Sequence, residues 1–194
     1  MVLAALSQAI EARDPYARGH SARVSALAVV VARRLGWKDA RLGALRLGGL
    51  LHDVGKLNLD DAVLQKPGPL DEREYREVMR HPLAGARLIR RLEALRPALP
   101  YILFHHERWD GSGYPSGRSR EQIPIGARIV AVVDAFDAMT SLRPYRPPLS
   151  LRRALAEVRS GSGTQFDPGV VRAFLSAWSN GELHRFLPYE RLSA

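Results

Sequence analysis

Apolar residues recur along this 194-residue chain at helical spacing, and nowhere do apolar and polar residues alternate for the length of a useful strand. That pattern confines the chain to an all-α fold, and the stop signals agree with it. A first helix is expected over 2–12, ending before Asp14-Pro15, and a second over about 21–35, closed by Gly36. A third runs from Asp39 through LGALRLGGLLHD to about Gly55, and residues 56–70 read as a loop closed by Lys-Pro-Gly-Pro. Asp71 with Glu74 is a capping-box signature for a short helix. Pro82 opens the next helix, which reaches about Leu95 before Pro97. Another is expected over about 98–108, then a loop over 110–124, then the strongly apolar helix IGARIVAVVDAFDAMTS. Ser150 and Asp167-Pro168 open the last two. There is no internal repeat and no clear linker. Residues 1–194 therefore read as one domain, with its core over about 8–175 and a tail over about 180–194.

Composition narrows the chemistry. At 46% hydrophobic, the chain is large enough to bury one sizeable core. It has no cysteine, which excludes disulfides, thiolate zinc sites and Cys nucleophiles. The opening MVLAALSQAIEARD lacks a basic start and carries Glu11 early, unlike a signal peptide. The longest apolar run, VSALAVVVA at 24–32, is too short to span a bilayer, so a cytoplasmic location is expected. Of the +9 net charge, nearly all is arginine: 26 Arg against three Lys, scattered along helices rather than massed in a block. That distribution suits a solvated surface, and no nucleic-acid partner is expected.

Several polar residues stand where the helical pattern wants core. In GGLLHDVGK, His52 and Asp53 close an apolar helix; in RIVAVVDAF, Asp134 follows six residues of which five are apolar. A lone carboxylate buried there costs several kcal/mol unless it is paired or binds a cation. Each residue has a plain alternative: a capped histidine at a helix end, or an Asp paired with one of the arginines. Together, His20, His52, Asp53, His81, His105, His106 and Asp134 use five of the six histidines, nearly all at helix ends or beside Pro and Gly. Imidazole with carboxylate and no thiolate suits iron, manganese, cobalt, nickel or zinc. Neighbours on a helix point about 100° apart, so His105 and His106 would approach a metal cluster from different angles, as would His52 and Asp53. The residues alone leave open a multi-metal site or separate structural histidines.

The segments HDVGK at 52–56, HPLAGA from His81, HHERWDGSGYP at 105–115 and DAFDAMTSLRPYR from Asp134 resemble the HD-GYP branch of the HD superfamily of metal-dependent phosphohydrolases. The third of these fits the HHExxDGxGYP signature at every specified position, and the resemblance extends over about residues 8–175. It implies a single HD-type helical bundle with extra helices and a GYP loop. The implied activity is hydrolysis of cyclic di-GMP to linear pGpG, and onward to GMP, by a hydroxide shared between two cations. Another cyclic dinucleotide or nucleotide phosphate is the alternative substrate. A non-catalytic module responsive to cyclic di-GMP is the alternative class.

Position by position, the resemblance implies that His52, Asp53 and Asp134 anchor one metal. Asp53 would bridge to a second held by His81, His105 and His106, and His20 would complete the first side. Two divalent transition-metal ions are expected, iron or manganese first, with nickel, cobalt or zinc as substitutes. Relatives with a third ion carry a glutamate where this chain has Tyr16. Lys56 resembles the family's phosphate-binding lysine, and Arg143 and Arg146 its second anion-binding pair. Glu107 and Asp110 are expected to orient ligands or fix the loop, Gly111, Gly113 and Pro115 to shape it, and Tyr114 to pack or meet a partner. Asp137 reads as structural. A diguanylate cyclase (GGDEF) protein docking on the GYP loop, and a homodimer, are the implied protein partners.

Overall fold

The computed structural model describes residues 11–13, 18–142 and 147–187. Among them every regular element is helical, and an isolated bridge between Ser162 and Phe166 extends into no strand. The helices are α1 (His20–Arg34), α2 (Asp39–Leu51), α3 (Asp61–Leu64), α4 (Glu72–Val78), α5 (His81–Ile89), α6 (Leu99–Phe104), α7 (Ile125–Thr140), α8 (Leu151–Ser160) and α9 (Pro168–Ser179). Shorter 3-10 turns cover Val54–Asn58, Glu93–Ala98, Arg120–Gln122 and His184–Phe186.

The main core lies where α1 meets α2, α7 and α9. Val24, Leu27 and Val31 of α1, Leu45 of α2, Val133 and Phe136 of α7, and Phe174 of α9 are wholly buried there. Phe136 and Phe174 meet edge to face with ring centroids 5.0 Å apart, a favoured aromatic arrangement. A smaller cluster joins Leu51, Val54, Ile89, Leu95, Ala98 and Ile102 beneath α5 and α6. The metal-ligand candidates lie between these two cores, because α1, α2 and α7 belong to one and α2, α5 and α6 border the other.

Capping follows the sequence. Asp71 Oδ1 accepts from Glu74 N at 2.8 Å and Glu74 Oε2 accepts from Asp71 N at 2.7 Å, completing the box. Ser150 caps α8 and Asp167 caps α9. Four boundaries differ from expectation, and the first is the helix expected to reach Gly55, which ends at Leu51 before the 3-10 turn. Residues 56–70 are not all loop: a 3-10 turn continues to Asn58, and Asp60 caps the one-turn α3 by accepting from Ala62 N at 2.9 Å. The helix from Pro82 ends at Ile89 instead of Leu95, and the chain up to Pro97 winds as a 3-10 turn. That suits Pro97, whose ring disfavours α-helical geometry in the residue before it. The helix expected to reach 108 stops at Phe104, for a reason that lies in the site. Of the expected first helix only the end is described, and residues 11–13 are helical.

Candidate metal centre

Three of the histidines sit just past the end of a helix. His52 Nδ1 bonds Gly49 O at 2.8 Å, His81 Nδ1 bonds Val78 O at 2.7 Å, and His105 Nδ1 bonds Ile102 O at 2.8 Å. Each ring thus takes a carbonyl three residues back, at the end of α2, α4 or α6, where the helix has no further N–H to offer. This is why α6 stops at Phe104. A carbonyl oxygen only accepts, so each Nδ1 carries a proton and Nε2 is the ring atom left to face inward as a ligand.

Those Nε2 atoms converge. His81 Nε2 and His105 Nε2 lie 3.3 Å apart, and His52 Nε2 is buried without a hydrogen-bond partner. Two facing lone pairs repel, and a buried unpartnered nitrogen is costly, unless a cation takes both. The donor atoms form two groups, Asp53 with His81, His105 and His106, and His20 with His52 and Asp134, each spanning no more than 4.8 Å. Asp53 touches both: Oδ1 is 3.3 Å from His81 Nε2, and Oδ2 is 3.4 Å from His52 Nε2. Asp134 Oδ1 lies 3.1 Å from His20 Nε2 and 3.6 Å from His52 Nε2. The donor set is nitrogen and carboxylate oxygen throughout, which fits divalent first-row metals.

The electrostatics ask for positive charge. Burial pushes the Asp53 carboxyl up, but Lys56, 2.7 Å from Oδ2, and then His52 and His81 hold it well below the usual range. Burial likewise opposes the Asp134 charge, but His20, 3.1 Å from Oδ1, and the neighbouring His52 hold the carboxyl well below the usual range. Burial lowers His105, and lowers His106 to about 3, with His81 adding to it, so both rings are neutral donors. His20 is the exception. Burial disfavours its charge, yet its bonds to Asp134 and Asp137 raise its pKa to about 9. In a set of carboxylates this tight, an imidazolium or a metal cation meets the same demand.

The structure adds residues to the site that the pattern alone underrated. Asp137, fully buried one turn after Asp134, accepts from His20 Nδ1 at 2.7 Å and from the Arg23 guanidinium at 2.7 and 2.9 Å. It therefore orients a metal-site histidine instead of serving only the core. The sequence signal was its place one helical turn from Asp134; nothing in the pattern marked Arg23. Glu107 fixes the loop and no ligand: its two oxygens accept from Ser116 N at 2.7 Å and Arg118 N at 3.1 Å. Asp110 holds the loop tip through Ser112 N at 3.0 Å and Arg108. A Cβ on Gly113 would meet Glu107 Cα and His106 O at 2.6 Å, so only glycine permits this turn. That close approach puts Tyr114 N on His106 O at 3.2 Å and stacks the Tyr114 ring on His106 at 4.8 Å. Tyr16, Arg143 and Arg146 lie outside the described residues.

With this geometry, comparison with known proteins is decisive. The family model described as HD domain matches residues 4–170. The chain belongs to the HD domain family. Its GYP loop assigns it to the HD-GYP branch, and the fold carries the divalent metal binding of that family. It is 40% identical over 176 residues, 90% of this chain, to a cyclic di-GMP phosphodiesterase of Thermotoga maritima, covering 48% of it. It is 36% identical over 91% of this chain to a 3′3′-cGAMP-specific phosphodiesterase of Vibrio cholerae, covering 38% of that protein. The chain thus spans less than half the length of these two relatives. The crystal structure of a cyclic GMP-AMP-specific phosphodiesterase of V. cholerae superposes with a TM-score of 0.76, over 97% of this chain and 51% of that one. At 20% identity, that likeness shows the shared HD fold. No helix among the described residues is long and apolar enough to cross a membrane.

Proposed function

We propose that this HD-GYP domain, taken as one unit over the chain, hydrolyses a cyclic dinucleotide, cyclic di-GMP first. It would cut one P–O3′ bond to leave a linear dinucleotide with a 5′-phosphate. The observation that supports the reading is Asp53, whose two carboxylate oxygens face separate histidine groups at 3.3 and 3.4 Å with Lys56 Nζ at 2.7 Å. His52, Asp134 and His20 would hold one divalent cation and His81, His105 and His106 another, with Asp53 shared and iron or manganese preferred. When bound, such a pair supplies Lewis acidity to the phosphodiester and a nucleophile from water at neutral pH. Lys56 then brings its ammonium to the phosphate and offsets charge that grows on the oxygens in the transition state. Arg143 and Arg146 are proposed to bind the second phosphate. The Tyr114 ring, stacked on His106, would line one side of the centre.

The relatives include enzymes named for cyclic di-GMP and for 3′3′-cGAMP, so the base specificity is the second arm of the test. Protein loaded anaerobically with iron or manganese is incubated with each cyclic dinucleotide and the products are separated by chromatography. Metal-dependent release of the linear 5′-phosphorylated dinucleotide, lost in Asp53→Ala, is expected. No turnover of either substrate by fully metal-loaded protein would overturn the reading.

A further inference from the structure

A groove of about 690 Å³ runs between α4, α5 and the 54–58 turn, lined by Gly55 and His81 among others. The His81 ring itself is wholly buried, so the groove is separate from the face that points at the metal centre. Four of its eleven lining residues are arginines, Arg73, Arg76, Arg80 and Arg87, against 26 of 194 in the whole chain. The groove is therefore enriched well beyond an arginine-rich surface sampled at random.

Arg73, Arg76 and Arg80 fall at i, i+3 and i+7 and share one side of α4 and its last turn, while Arg87 faces them from α5. Like charges at this spacing weaken a helix. Arg76 is offset by Glu72 at 2.7 Å. Among the described residues, Arg73, Arg80 and Arg87 make no ion pair, and neither does Glu77, the acidic residue of the lining. Their cost is met if an anion occupies the groove. Seven residues of helix separate Arg73 from Arg80 by roughly 10 Å along the axis. Spread over that length, the guanidinium groups can be engaged together by a chain of phosphates. Leu83, 41% exposed, adds an apolar surface on which a base can lie.

We propose that this groove binds a nucleotide carrying two or more phosphate charges, at a site distinct from the metal centre. Two sources share that chemistry, a nucleoside 5′-triphosphate and a linear dinucleotide bearing a 5′-phosphate. The proposal does not depend on the hydrolytic reading. A Cβ on Gly55 would collide with His81 O, so the groove wall and the metal-ligand segments are in direct backbone contact.

The test is isothermal titration of the metal-loaded protein, with magnesium in excess, using guanosine 5′-triphosphate and 5′-phosphorylated linear diguanylate as probes. Wild type is compared with Arg73→Gln/Arg80→Gln and, from the opposite wall, with Arg87→Gln. All three positions are exposed, and circular dichroism with metal analysis checks that fold and metal content persist. The expected result is saturable binding of at least one probe, weakened about tenfold to a hundredfold in the double variant and less in Arg87→Gln. Binding of the triphosphate alone assigns the groove to free nucleotides, and of the dinucleotide alone to the linear product class. No saturable binding of either probe, or equal affinity in wild type and both variants, overturns the proposal.

Discussion

Asp137 offers no ligand atom to either metal group, yet it grips the His20 ring from behind while Arg23 grips it in turn. Such a carboxylate fixes the tautomer and direction of the histidine, and losing it lowers metal affinity about tenfold to a hundredfold. Asp137→Ala should show that loss at the His20 group, and Asp137→Asn should recover part of it because an amide oxygen still accepts from Nδ1–H. Metal titration of the purified variants checks this; equal affinity in all three proteins would leave Asp137 a packing residue. Asp53→Ala should lose both metal content and turnover, since its oxygens face both groups. Lys56→Ala should instead keep its metal and lose catalytic rate, because an ammonium beside the centre acts on charge that grows in the transition state. Steady-state kinetics with metal content measured on the same samples separates these two outcomes.

Helix ends build the centre. His52, His81 and His105 each consume an orphan carbonyl of the helix that precedes them, so ending the helix and aiming the ligand are a single event. The joint between the 54–58 turn and α5 is tighter still. Gly55→Ala places a methyl against the backbone of His81 and Gly85, which cannot yield as a flexible side chain can. Overpacking of this kind costs about 1–3 kcal/mol. The melting temperature should fall and the metal content of the His81 group with it; an unchanged melting curve would mean the joint relaxes freely. The GYP loop depends on a different element contact. Glu107→Ala removes the acceptor of two loop N–H groups and should free Tyr114 from His106, seen as faster amide exchange over 112–118.

At the scale of the molecule, two apolar cores clasp a polar centre. Phe136 is wholly buried against Phe174 and Trp178, on the same helix as Asp134. Phe136→Ala should cost about 3–5 kcal/mol, measured by denaturant unfolding. The same lesion should loosen the centre, since Phe136 directly precedes Asp137 on the helix. Metal binding in turn stabilises the folded state only, so chelation should lower the melting temperature and readdition of manganese or iron should restore it. With metal at a hundredfold excess over its dissociation constant, the effect is about 2.7 kcal/mol. A melting curve indifferent to chelator would contradict a centre shared among α1, α2, α5, α6 and α7.

Helical periodicity, the capping box at Asp71, the caps at Ser150 and Asp167 and the GYP loop are local, and each was legible because its cause lies within a few residues of chain. The seven His and Asp residues were legible too, since a polar side chain inside an apolar run is conspicuous without any structure. What the sequence could not settle is pairing at a distance. His20 meets Asp137 across 117 residues and Arg23 meets it across 114, contacts that exist only because α1 packs on α7. The early stop of α6 was hidden for a related reason: periodicity carries apolar positions onward, whereas a histidine taking the carbonyl of Ile102 competes with the next turn. The arginine groove likewise arises only when α4, α5 and the 54–58 turn come together in space. One-dimensional pattern reports what each residue prefers; tertiary packing alone decides which preferences share one site.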